Sequence, residues 1–95
     1  MPAYIVFTRQ KTRDQSEMDA YMQKVGATLE DHPVTTHALY GSQEVLEGPE
    51  VEGVVIISFP SFKEAKAWYD SPAYREVRRH RFLGADYRAV IVQGV

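Results

Sequence analysis

The sequence predicts an α+β domain in which helices cover one face of a four-stranded antiparallel sheet. Three observations carry this reading: β-rich apolar runs at both ends and in the middle of the chain, capped segments of helical period between them, and two strands that are apolar at consecutive positions. At 95 residues with 44% hydrophobic content, the chain reads as one domain, residues 1–95, folding around its own core.

Ala3 to Thr8 is the first strand, and the polar stretch Arg9 to Arg13 separates it from a helix beginning near Asp14. Asp14 with Glu17 resembles a capping box, and Met18, Tyr21, Met22, Val25 and Leu29 recur at helical spacing as one apolar stripe. Asp31-His32-Pro33 ends that helix, because a proline disfavours helical geometry at the residue before it. Val34 to Leu46 reads as extended, either one kinked strand or a short hairpin, with glycine allowing the break at Tyr40-Gly41-Ser42. Glu47-Gly48-Pro49-Glu50 is a turn, and Gly53 to Phe59 is the clearest strand.

Ser61 and Glu64 form a second capping box that starts the next helix, with Phe62, Ala65, Trp68 and Tyr69 on its inner face. Asp70-Ser71-Pro72 stops that helix and restarts another, Ser71 as cap and Pro72 at the tolerated first position. Tyr74, Val77 and Arg81 share one side of it, Gly84 closes it, and Asp86 to Gln93 is the last strand.

The order is βαββαβ, the ferredoxin-like split βαβ sandwich, whose antiparallel sheet carries its helices on one face. A sheet with one wet face alternates apolar with polar, whereas Val54-Val55-Ile56-Ile57 and Ala89-Val90-Ile91-Val92 do not. Both faces are therefore expected to be buried, and the simplest cover for the second is the same sheet of another copy, giving a homodimer through sheet faces. A chain this short gains from such cover, since small domains bury a smaller fraction of their surface.

The absence of cysteine removes disulfides, thiolate nucleophiles and Cys-ligated metal clusters. A net charge of -2 argues against general nucleic-acid binding. The N-terminus has no basic leader and no run approaches a membrane span, so the expectation is a cytoplasmic protein without membrane contact. No phosphate loop, dinucleotide fingerprint, zinc-protease motif or nucleophile elbow is present. Asp31, His32 and His37 match no standard metal spacing, so no metal and no cofactor is expected.

Leu46-Glu47-Gly48 and the run Ile57-Ser58-Phe59-Pro60-Ser61-Phe62 through Trp68-Tyr69-Asp70-Ser71-Pro72-Ala73-Tyr74, with the ending Gly84-Ala85-Asp86 to Val95, resemble the DUF1330 family of the dimeric α/β-barrel superfamily. The resemblance spans essentially the whole chain and implies a ferredoxin-like subunit whose sheet packs against its mate to form a barrel. The family's Gly-Gly-Arg/Lys element after the first helix is replaced here by Pro33-Val34-Thr35. The wider superfamily includes cofactor-independent monooxygenases, small isomerases, haem-handling enzymes and ligand sensors, so fold alone leaves the activity open.

Single residues are the remaining candidates. His37, on a strand with Thr35 and Leu39, suits acid–base work near neutral pH, or is a rim histidine with a hydrogen-bond partner. Arg81 and Asp86 match polar positions recurring in the resembled family; they form either an anion site, Asp86 orienting Arg81, or a helix-end charge pair. Trp68, Tyr69 and Tyr74, with Tyr40 and Tyr4 in support, are core packing or the wall of a pocket between the second helix and the sheet that also exposes His37. Arg75, Arg78, Arg79, His80 and Arg81 make the one basic cluster, read as a solvated helix face, with a haem role for His80 considered on superfamily grounds alone. The function expected is a homodimeric small-molecule binder, working either as a cofactor-independent accessory enzyme, by proton transfer or oxygenation, or as a non-catalytic binding or structural dimer.

Overall fold

The computed structural model describes all 95 residues. Its elements follow as β1 (Ala3–Thr12), α1 (Gln15–Thr28), β2 (Thr35–Leu39), β3 (Gly53–Phe59), α2 (Phe62–Tyr69), α3 (Pro72–Gly84) and β4 (Ala85–Gln93). The sheet order is β2-β3-β1-β4 and every neighbouring pair is antiparallel. This is the ferredoxin-like α+β arrangement expected, with the second helical region divided at Asp70-Ser71.

Local chemistry explains the boundaries. Ser61 Oγ accepts the Glu64 N–H at 3.1 Å, and Ser71 Oγ accepts the Tyr74 N–H at 3.2 Å with Pro72 opening α3, so both helices start at their caps. Asp14 caps α1 by accepting from the Ser16 and Glu17 N–H groups. Bonds from the Ser16 hydroxyl and then the Glu17 amide hold its carboxyl below the ordinary carboxylate range. Glu17 returns no bond to the cap; its carboxylate meets His80 Nδ1 at 2.6 Å and ties α1 to α3 instead.

Both the Arg13 and Asp14 N–H groups donate to the Gly84 carbonyl, at 2.7 and 2.9 Å. Gly84 permits that approach because a Cβ there would lie 2.9 Å from Met18 Cγ and 3.0 Å from the Met18 backbone nitrogen. β1 runs past Thr8 to Thr12 because β4 continues to pair with it beyond a register shift between Arg9 and Lys11. Pairing here overrides the polar composition of Arg9–Thr12.

The segment after α1 corrects the expectation of an extended run to Leu46. It contains one short strand ending at Leu39, and Gly41–Leu46 pairs with nothing. The chain turns at Tyr40 itself, with φ 52°, a left-handed conformation unusual for a tyrosine, rather than at Gly41. Three contacts hold it there. The Tyr40 ring occupies the space a Gly53 side chain would fill, its hydroxyl meets the Tyr87 hydroxyl at 2.5 Å, and the Arg9 guanidinium lies 4.7 Å from the ring centre.

Ala3, Ile5 and Phe7 of β1 join Ile57 and Phe59 of β3 beneath the helices, around Trp68. Trp68 stacks on Phe59 at 5.7 Å between ring centres and lies 4.0 Å from the Tyr74 ring. On the opposite face Tyr4 is flanked by the His37 ring, but no element covers Val6, Ile56, Val90 and Val92, and Val90 and Val92 are 57% and 51% exposed. The chain is accordingly a slab of 32 × 31 × 17 Å, one sheet with one layer of helices. No helix is long and apolar enough to cross a membrane.

Candidate functional site

The stripe of α1 that reads as pure core in the sequence does two things. Its first turns, at Met18, pack against the sheet and α3, whereas Met22, Val25, Gly26 and Leu29 roof a cavity of about 280 Å³. Gly26, exposed one turn after Met22, lines the cavity with open space around it, since a Cβ there would have nothing within 4 Å. Phe7, Val55 and Ile57 form the floor, while Met22 and Leu39, both exposed, flank the mouth. Eleven of the fourteen lining residues are hydrophobic, a composition typical of small-molecule sites.

The polar end of the cavity is built by Arg81, Tyr87 and Tyr40. Arg81 comes from the last turn of α3 and is only 3% exposed. Its guanidinium lies 5.2, 5.1 and 4.9 Å from the ring centres of Phe7, Phe82 and Tyr87. Nη2 donates to the Tyr69 hydroxyl at 3.4 Å and the Tyr74 hydroxyl lies close to the guanidinium; Nε is buried without a partner, and none of the ion pairs of the chain includes Arg81. Burial works against the charge, but the phenol oxygens of Tyr74, Tyr21 and Tyr69 outweigh it and the guanidinium pKa lies above its ordinary value. Arg81 is therefore a permanent buried cation. Burial, and then the Tyr40 hydroxyl, push the Tyr87 phenol up, while burial and then Tyr74 do so for Tyr21. Both remain proton donors at neutral pH.

Of the residues singled out in the sequence, Trp68, Tyr40 and Arg81 line this cavity together. Tyr74 does not: it is sealed beneath the wall, its hydroxyl 2.7 Å from that of Tyr21. Tyr69 stands behind Arg81 and also receives Arg78 on its ring, at 4.6 Å. The larger cavity thus lies under α1, while a smaller hollow of about 150 Å³ lies between α2 and the sheet, where Tyr69 and Lys66 face Ile5, Ala89 and Ile91; His37 lines neither.

Asp86 is not beside Arg81. It accepts Arg13 Nε at 2.9 Å, while the same arginine donates to the carbonyls of Phe82 and Ala85, at 2.6 and 3.3 Å. That cluster closes the C-terminal end of α3, where a cation is favoured. His37 occupies a register shift of β2 between Thr36 and Ala38, and its Nε2 lies 2.7 Å from Ser58 Oγ with its ring 5.6 Å from that of Tyr4. Tyr4 and Ser58 pair on the uncovered face, so the sheet separates His37 from Arg81. A joint His37–Arg81–Asp86 centre is not assembled within one chain. Nor is the basic cluster continuous: Arg79 pairs with Glu76 at 3.0 Å, His80 with Glu17, and Arg81 is inside.

Tyr87 and Tyr21 are the site residues that the sequence reading missed. Tyr87 was legible in principle, because alternation from the buried Ala85 puts it on the helix face of β4.

The DUF1330 family, described as a domain of unknown function, matches residues 2–95. The chain is similar in structure to a protein of unknown function from Rhodopseudomonas palustris, with TM-score 0.78 and 20% identity over 99% of this chain and 82% of that one. It is similar to a dimeric ferredoxin-like protein of unknown function from Thermobifida fusca, with TM-score 0.65 and 14% identity over 97% and 90% of the two chains. SnoaB, a cofactor-independent oxygenase from Streptomyces nogalater, is similar with TM-score 0.56 and 7% identity over 99% and 91%. No curated protein matches the chain. The structural likenesses speak to fold alone, and the match over all but the first residue makes this chain a member of the DUF1330 family with a ferredoxin-like fold.

Proposed function

We propose that this chain is a homodimeric small-molecule-binding protein that takes a small, largely apolar metabolite into the cavity under α1 of each subunit. The observation that carries the reading is the cavity itself, about 280 Å³ between α1 and the sheet with an almost wholly apolar lining. That volume sits at the lower end of ligand sites, suiting a compact metabolite. The dimer is supported by the uncovered apolar sheet face bearing Val6, Ile56, Val90 and Val92, and by the dimeric state of the similar Thermobifida fusca protein.

No histidine, carboxylate or thiol lines the cavity, so a proton-abstracting role for His37 on its occupant has no geometric support. Binding or sensing is the primary reading. A second one, oxygenation of a substrate that ionises unaided, is favoured by the likeness to a cofactor-independent oxygenase and by a cation fixed where an anion would develop.

A thermal-shift screen against small metabolites tests the proposal, since a ligand that binds only the folded state raises its Tm by mass action. Gly26 lines the cavity with open space at its Cβ, so the ring introduced by Gly26→Phe should obstruct it and stabilising compounds should lose their effect in that variant. Hits that stabilise Gly26→Phe equally, or no hit at all, would count against the cavity. Oxygen uptake in the presence of a hit separates turnover from binding.

A further inference from the structure

We infer that the cavity selects a monocarboxylate: a compact apolar body under Val25 and Leu29 and one carboxylate against Arg81. This rests on the reading of the cavity as a ligand site and adds what that reading leaves open, the chemical class of the occupant.

Arg81 is a permanent cation at 3% exposure, on the wall of a cavity whose other surfaces are almost all apolar. A charge taken out of water is stabilised by an opposite charge or by a full set of hydrogen bonds. Arg81 has neither. The acidic residues nearest in sequence, each five positions away, are both taken: Asp86 is bonded to Arg13 and Glu76 to Arg79, Glu17 is bonded to His80, and Arg81 is left with neutral phenol partners, the Tyr69 hydroxyl at 3.4 Å and Tyr74 beside it. Nε is buried and unpartnered. Aromatic faces around the guanidinium compensate in part only.

The missing partner is then an anion from outside the chain, and a planar carboxylate matches the guanidinium fork. The tyrosine pair adds a second donor. One hydroxyl of Tyr40 and Tyr87 gives its proton to the other across 2.5 Å, and the acceptor keeps its own proton to offer to the ligand. A phosphate monoester, bulkier and doubly charged, would face one cation in an apolar room. One carboxylate balances the charge that is there.

Matched pairs test the class: cinnamate against cinnamamide and hexanoate against hexanamide, titrated into the wild-type protein by calorimetry and by quenching of Trp68, the one tryptophan of the chain, on the cavity wall. The acids should bind roughly ten- to a hundredfold more tightly than the amides, the range expected of a charge-assisted hydrogen bond. Arg81→Met should erase that preference while leaving the weak amide binding in place, with Gly26→Phe blocking both. If Arg81→Met does not fold, the acid–amide comparison on the wild-type protein decides alone. Equal binding of acid and amide, acids failing where neutral compounds bind, or a preference surviving Arg81→Met would overturn the carboxylate and leave the cavity reading intact. Binding of no compound, or binding indifferent to Gly26→Phe, would remove both.

Discussion

Alanine at two helical glycines should move the stability of this protein in opposite directions. Gly26 lies in α1 with helical backbone geometry, and a Cβ there meets nothing within 4 Å. Alanine restricts the unfolded chain and favours the helix, so Gly26→Ala should stabilise by about 0.5–1 kcal/mol. Gly84 ends α3 under the first turn of α1, where a Cβ would press to 2.9 Å on Met18 Cγ and 3.0 Å on a backbone nitrogen that cannot swing away. Relief requires α1 to back off, which also stretches the bonds from Arg13 and Asp14 to the Gly84 carbonyl. Overpacking of this kind costs about 1–3 kcal/mol. For a domain of this size each kcal/mol moves Tm by about 4–8 °C, giving a rise of roughly 2–8 °C for Gly26→Ala and a fall of roughly 4–24 °C for Gly84→Ala. Calorimetric melts at equal protein concentration read both values, the concentration held fixed because association also shifts Tm. A Gly84→Ala protein as stable as the wild type would refute the close approach of the two helices.

Thr28→Val keeps the shape of a buried side chain but removes the acceptor for Trp68 Nε1 at 3.1 Å, stranding an indole N–H in the core. Urea denaturation should show a loss of about 1–3 kcal/mol, and no loss would mean that the indole is otherwise satisfied. Stability should also fall at high pH. The buried phenols of Tyr21 and Tyr74 have pKa values raised on folding, chiefly by burial, so they favour the fold fully below the unfolded value near 10 and lose that contribution as pH climbs through the folded values. Denaturation followed from pH 9 to about 11.5 should decline by up to about 1.4 kcal/mol per unit for each, and a flat profile would contradict their burial. Ile56→Lys places a charge on the uncovered sheet face while leaving the helix face untouched. Sedimentation velocity should then report a monomer with an unchanged far-ultraviolet spectrum, and an intact dimer would move the interface elsewhere.

Most of the fold was legible because short-range chemistry sets it: Asp14, Ser61 and Ser71 cap where their side chains reach the next turn, and Pro72 restarts a helix in the only place it is tolerated. The loop after β2 was misread because glycine is the usual left-handed residue, whereas Tyr40 is driven there by tertiary contacts with Gly53, Tyr87 and Arg9, none of which is near in sequence. Arg81 and Trp68 were found as residue types, but their setting was not. The partner given to Arg81, Asp86, is drawn off by Arg13 from seventy-three positions away, and a β-bulge decides on which side of the sheet His37 emerges. Periodicity also cannot separate an apolar stripe that fills a core from one that roofs a void, since both are apolar at the same spacing.

α1 is a beam with two abutments. At its start the Gly84 carbonyl grips Arg13 and Asp14, and near its end Trp68 Nε1 grips Thr28; the cavity is the span between. The width of the gap from Met22 to Leu39 follows the height of that beam above the sheet, and at the far support one hydrogen bond adds to the packing of Val25 and Leu29 on the core. Loosening that bond should be felt first in how fast an occupant leaves, so residence time is the property through which Thr28 would govern this protein.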